Sequence, residues 1–132
     1  MPEKRWRKLA LPLLGSTIQH IGWNVYLVVL LPSFAALHGH MDNYGMVVAT
    51  NAAAIALLSI PGGRLSDVLG RRRMIFIGWS IVTLSPLFLL STSGFSALIL
   101  SSAVNGCGVG LSQSAFQSYI AVSYTHLTLP TN

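Results

Sequence analysis

GGRLSDVLGRRR, residues 62–73, holds four arginines and one aspartate between two long apolar segments. Each Arg or Asp near a bilayer centre costs roughly 2.5–3.5 kcal/mol on insertion scales, so this stretch belongs in water. It is read as a water-facing hairpin turn between two membrane helices, with Pro61-Gly62-Gly63 ending the helix before it. Outward from this turn the chain is apolar. Of its 132 residues 52% are hydrophobic and 8% are charged, against about 25% charged in an average soluble domain. The expected fold class is therefore an all-α membrane protein with four transmembrane helices.

The net charge of +5 does not point to nucleic acid, because of where the charges lie. All eight basic residues fall in two clusters: Lys4, Arg5, Arg7 and Lys8, then Arg64, Arg71, Arg72 and Arg73. Two clusters separated by two apolar spans follow the positive-inside rule and place both, with the N-terminus, in the cytoplasm. The expected location is the inner or plasma membrane, with Trp6 as a headgroup anchor. The apolar run after the first cluster covers about 29 residues (9–37), far beyond the usual ~7–15-residue core of a signal peptide. It is read as a retained helix. The single Cys107 lies inside a span and cannot form an internal disulfide.

The helices are expected at about residues 9–37, 44–60, 74–90 and 95–121. In the first, Ser16, His20 and Asn24 recur every four residues, with Gln19 and Trp23 beside them. This face is either polar glue between helices or the lining of a wet cavity, and the cluster of an imidazole with two amides favours the cavity. The second helix is rich in small residues (Gly45, Ala49, Ala52, Ala53, Ala54, Ala56), with Asn51 as its one strongly polar side chain. The third carries only hydroxyls (Ser80, Thr83, Ser85), the profile of a lipid-facing helix. In the fourth, Ser102, Gly106, Gly110, Ser114 and Ser118 form a small-residue stripe suited to close helix packing. Asn105, Gln113 and Gln117 add amides there and extend the candidate cavity lining.

Between the first two helices, His38-Gly-His40-Met-Asp42 has loop histidines at metal-like spacing, but no further ligand is evident and no metal is expected. No paired carboxylates or nucleophile–base set is present, which argues against an enzyme, and no cofactor is implied. The end of the chain changes character: residues 122–132, VSYTHLTLPTN, are polar. They back-translate to a sequence resembling a transposon-end adapter from DNA library preparation. The expectation is that 122–132 is a non-native tail on a cut gene, which sequencing the source DNA across the junction tests.

With the spans placed, residues 62–73 resemble the loop between the second and third helices of the major facilitator superfamily, G-x-L-x-D-[RK]-x-G-[RK]-[RK]. Gly63, Leu65, Asp67, Gly70, Arg71 and Arg72 fall on its positions, and Arg73 extends the basic run. Val68 stands where a basic residue usually follows the aspartate. The fourth helix is similar to the family's R-x-x-x-G-x-x-x-G at Gly106 and Gly110, but Ser102 replaces the arginine. The resemblance covers residues 1–121 and implies the first part of a six-helix N-terminal domain. It implies that helices one and four line a central cavity and helix three lies outermost, the same assignment that the polar residues suggest. It further implies a secondary transporter moving a small solute by alternating access, with residues 63–73 as a conformational gating loop. The partners implied are a small-molecule substrate, the lipid bilayer and the remaining helices of the same protein, without which this chain is not expected to transport. Two other readings remain: a complete four-helix dimeric exporter, weakened because none of Glu3, Asp42 and Asp67 lies inside a span, and a helix-packing interaction module.

Overall fold

The computed structural model describes residues 3–38, 41–91 and 94–128, with the side chains of 10, 13–38, 41–90 and 94–122. Six α-helices make up four spans: α1 (Glu3–Asn24), α2 (Leu31–Leu37), α3 (Tyr44–Leu69), α4 (Arg71–Leu84), α5 (Phe88–Ser91) and α6 (Phe95–Thr128). Four segments are long and apolar enough to cross a membrane: Leu13–Leu37, Met41–Leu69, Arg71–Leu90 and Phe95–Val122. The chain is a multi-pass, all-α membrane protein. Short connections make successive spans antiparallel, so the backbone of residues 4–8 and the charged segment around Gly70 lie at the same end.

The fourth span is the axis of the bundle. In its most apolar 18-residue stretch 56% of the residues are buried, against 17% in that of the first and of the second span and 22% in that of the third. One face of α6 meets α3 and another meets α4, both at backbone distance. A Cβ on Gly106 would lie 2.5 Å from the Asn51 carbonyl oxygen of α3, and one on Gly110 would lie 2.8 Å from that of Ile55. On the other face, Cβ atoms on Gly78 and Gly108 would each lie 2.6 Å from the carbonyl oxygen of the other. Without a hydrophobic drive between helices in lipid, close approach of small residues and polar bonds supply the association.

The charged stretch differs from the hairpin turn expected of it. α3 runs through Pro61 to Leu69, and α4 starts at Arg71, so the break is the single residue Gly70. Tertiary contact explains why Pro61-Gly62-Gly63 does not end the helix. Gly62 is buried, and a Cβ there would lie 2.9 Å from the Leu111 Cα of α6, so the neighbouring helix holds this turn in place. With 26 residues, α3 is about 39 Å long, longer than the ~30 Å hydrocarbon core, and its last turns reach water as helix. Gly70 takes φ 91° and ψ 134°, which side-chain-bearing residues rarely adopt. Its N–H bonds Ser66 O (3.1 Å) and its carbonyl accepts from Met74 N (3.2 Å), ending one helix and starting the next. The other ends also move: the third span begins at Arg71 rather than 74, and α6 continues to Thr128, seven residues beyond the expected 121.

Two prolines inside spans are each answered by a hydroxyl. Between α1 and α2, Val25–Leu30 is π-helical, and Leu31 N–H reaches back five residues to Tyr26 O. In that register Leu27 O would be next, facing the N–H that Pro32 lacks. The Tyr44 hydroxyl donates to Leu27 O instead, at 2.7 Å. In the third span a 3-10 turn, Ser85–Leu87, contains Pro86. There Ser85 Oγ donates to Val82 O at 2.8 Å, the carbonyl that residue 86 would have served in an α-helix.

The apolar core lies at the end away from Gly70, where Tyr26, Leu31, Ala35, Val47, Leu89, Ala97 and Leu98 cluster. The first span joins the bundle there. Toward its N-terminal half it departs, and Leu13, Leu14, Ile18 and Ile21 are each at least half exposed to the surroundings.

Candidate functional site

Polar side chains in the spans divide into two kinds. The first kind is buried and fully committed. Asn51 Nδ2 of α3 donates to Ser102 O (3.0 Å) and Asn105 Oδ1 (3.4 Å) of α6. Asn105 Nδ2 donates to Ser85 Oγ at 3.0 Å, and Ser101 Oγ donates to Ser85 O at 2.8 Å. Ser101 Oγ also lies 2.6 Å from Tyr26 Oη, and Ser102 Oγ donates to Val47 O at 2.7 Å. The chain of bonds links all four spans through α6. In a low-dielectric interior such a network is strong when every member is satisfied.

The second kind faces open space between the first, third and fourth spans. A cavity of about 460 Å³ is lined by Gln19, Trp23 and Tyr26 of the first span, Trp79 and Thr83 of the third and Asn105 of the fourth, among others. A smaller one of about 140 Å³ is lined by Gln19, His20, Trp23, Trp79, Gln113 and Phe116, with Ile55 and Val109. Gln19, Trp23 and Trp79 border both. Among the described residues neither Gln19 nor Gln113 has a hydrogen-bond partner. His20 Nδ1 lies 2.7 Å from Ser16 O. A carbonyl only accepts, so Nδ1 carries the proton of that bond and Nε2 of the neutral ring is an acceptor.

Of the seven candidate cavity residues, four line these spaces: Gln19, His20, Asn105 and Gln113. Ser16 and Asn24 line neither. Their side chains bond backwards along their own helix, to Leu13 O (2.8 Å) and His20 O (2.7 Å). Gln117 is exposed and also lines neither. Asn105 borders the larger cavity, but its amide is held by Asn51 and Ser85. The third helix leaves Phe76, Leu84, Leu87 and Leu90 exposed, as a lipid-facing helix would, and has a second face turned inward that its hydroxyls do not mark. Gly78 seats it on α6, and Trp79 forms a shared wall of both cavities, its ring 6.2 Å from that of Phe116. A count of amides and charges missed this because the relevant residues are a glycine and a tryptophan.

In the small-residue stripe, Ser102, Gly106 and Gly110 meet α3 directly. Ser114 Oγ is buried without a partner among the described residues. At the charged end, a Cβ on Gly63 would meet nothing within 4 Å, and Leu65, Asp67, Arg72 and Arg73 are exposed. Among the described residues Arg71 alone reaches across, donating to Ser118 O of α6 at 3.3 Å. Among the described residues Asp67 makes no ion pair. Helix electrostatics oppose this arrangement, since Asp67 sits in the last turn of α3 and Arg71, Arg72 and Arg73 sit in the first turn of α4. Each placement against the dipole costs about 0.3–1 kcal/mol at an exposed end, so local helix stability is not what these charges serve. Of the loop histidines, His40 lies outside the described residues. His38 stacks on Phe34 with ring centroids 4.1 Å apart and turns Nδ1 to Phe34 O at 2.9 Å.

The family model described as Major Facilitator Superfamily matches residues 13–128. No curated protein and no solved structure matches the chain.

Proposed function

The chain belongs to the major facilitator superfamily, a family of transporters, and on that premise we propose that it forms part of a secondary active transporter moving a small solute by alternating access. The observation that carries this reading is the cavity. The second, third and fourth spans approach to backbone contact, yet the first stands off and turns Gln19 and His20 toward Gln113. Intramembrane polar groups left without helix partners are the expected lining of a solute path. Four spans supply one wall of such a path, and further helices of the same protein would supply the other. Asp67 and the basic residues around Gly70 form the gating segment, with Gly63, Leu65, Gly70, Arg71, Arg72 and Arg73. Asp67, exposed and without an ion-pair partner among the described residues, is available to helices docked in one state of the cycle only. Arg71, Arg72 and Arg73 are held at an anionic cytoplasmic surface, with the N-terminus on the same side, each worth about 1 kcal/mol near it.

The test uses the complete reading frame that contains residues 1–121, expressed from its source DNA and reconstituted in proteoliposomes. Solute uptake down a gradient, and counterflow, are expected. Loss of one charge-assisted bond predicts that Asp67→Asn slows uptake roughly ten-fold or more with insertion unchanged. Unchanged uptake kinetics would remove Asp67 from the mechanism. Absence of both uptake and counterflow for every solute tried overturns the transport reading.

A further inference from the structure

We infer that the cleft between Trp23 of the first span and Trp79 of the third is a ligand seat, and that it selects an uncharged heteroaromatic ring bearing amide-type donors and acceptors; as a substrate seat it rests on the transporter reading above. The space of about 460 Å³ lies within the ~300–1,000 Å³ range of small-molecule sites. Its shape comes from sequence choices on two helices. Gly15 has no side chain under Trp79, whose Cη2 would be 3.5 Å from a Cβ there, so the indole covers the first span without filling the cleft. Trp23 and Trp79 both border the two cavities, so each cavity has indole in its wall.

The lining excludes other classes. Among the described residues no Asp, Glu, Lys or Arg borders either cavity, so a charged solute would be desolvated there without a partner from them. A sugar carries hydroxyls around its whole rim, and most of the larger cavity's wall is Ile18, Val82, Pro86 and indole. Those hydroxyls would go unpaired at a cost that a mostly apolar ring avoids. The groups left to pair are few and are aimed at the smaller compartment. Gln19 and Gln113 each offer an amide donor and acceptor, and His20 offers Nε2 as acceptor because Nδ1 is tied to Ser16 O. A ring lying between the indoles with a carboxamide or lactam edge turned toward those three side chains meets both requirements. Tyr26 and Asn105 also border the larger space, but both are engaged in the interhelical network and act as its floor.

The probe is nicotinamide, with nicotinate as its charged counterpart and glucose as the polyhydroxyl control. The full 132-residue chain carrying Trp6→Phe, so that only Trp23 and Trp79 fluoresce, is placed in lipid nanodiscs and titrated. Saturable quenching by nicotinamide is expected, with nicotinate and glucose at least ten-fold weaker. Trp79→Ala should weaken binding about ten-fold while Trp79→Phe keeps most of it, and thermal stability of each variant identifies any that misfolds. Gln113→Leu should weaken nicotinamide without weakening benzene, which needs no polar edge. Equal binding of nicotinate or glucose, or nicotinamide binding indifferent to both Trp79→Ala and Gln113→Leu, overturns the assignment. The two readings fail separately. Uptake of other solutes by the complete protein, unaffected by Trp79→Ala, removes the seat and leaves transport. Trp79-dependent binding with no uptake or counterflow leaves the seat and removes transport.

Discussion

The α3–α6–α4 seam and the first span solve the same problem in opposite ways. In the seam, glycines bring backbones so close that added Cβ atoms would lie 2.5–2.6 Å from a neighbour's carbonyl at Gly106, Gly78 and Gly108. Asn51, Asn105, Ser85, Ser101 and Ser102 are bonded across it. Among the described residues the first span is held mainly at one end, by Tyr26, Leu31 and Ala35 with Leu27 and Phe34 beside them and by the bond from Tyr44 to Leu27 O, and its glycines meet little: Gly22 has nothing within 4 Å. The same residue types, glycine and amide, therefore serve rigid joining in one region and open space in the other. What separates them is whether a partner helix lies within reach. A transport cycle needs both, a unit that moves as one body and an element that leaves room beside it.

The sharpest way to break this contrast is to add bulk on each side. Gly106→Leu drives a branched side chain into the Asn51 carbonyl and the Ala54 side chain of α3. It is expected to destabilise the bundle by roughly 3 kcal/mol, or to prevent its folding, since overpacking rigid backbone leaves nothing to yield. Gly22→Leu should leave unfolding in detergent nearly unchanged. Unfolding curves in SDS–detergent mixtures measure both. Equal losses would show that the first span is seated as tightly as α3, and the contrast would fall.

The seam was legible in the sequence where it used a repeat. Ser102, Gly106 and Gly110 lie four apart, and periodicity alone marks that face as a packing stripe. Its second face, Gly78 against Gly108, was not legible, because a single glycine in an apolar helix carries no period. The number of spans followed from apolar length and charge clusters. Their ends did not, because Pro61-Gly62-Gly63 is a breaker by local preference and is overruled by the backbone of α6 against Gly62. In the cavity, a four-residue repeat grouped Ser16, His20 and Asn24. Only His20 of these three borders it: all three bond back to the preceding turn, but the imidazole has a second ring nitrogen beyond the one so used. Trp79 was overlooked because a tryptophan in a membrane helix reads as bulk until its neighbours are known.

A smaller effect is expected at the joint between the two regions. Tyr44→Phe leaves the ring and removes the donor to Leu27 O, the carbonyl that Pro32 cannot serve. An unpaired acceptor in a dry interior costs about 1–3 kcal/mol. Pro32→Ala in the same background restores a backbone N–H and should recover most of that loss. Stability of the single and double variants forms a cycle, and equal losses with and without Pro32 would mean that the hydroxyl is not standing in for the missing amide.

The smallest effect should come from Gly15→Ala, on the cavity side. Its new methyl would meet Trp79 Cη2 at 3.5 Å and Cζ3 at 3.8 Å, both ordinary contacts, and the indole stands beside open space into which it can shift. Alanine is also the better helix former, by up to about 1 kcal/mol. Stability is therefore expected to stay within about 0.5 kcal/mol of the parent chain. Trp79 fluorescence should still shift, because the methyl enters the wall of the larger cavity. A loss comparable to that of Gly106→Leu would mean that Trp79 is clamped rather than lining free volume, and that the first span closes on the third as firmly as α3 closes on α6.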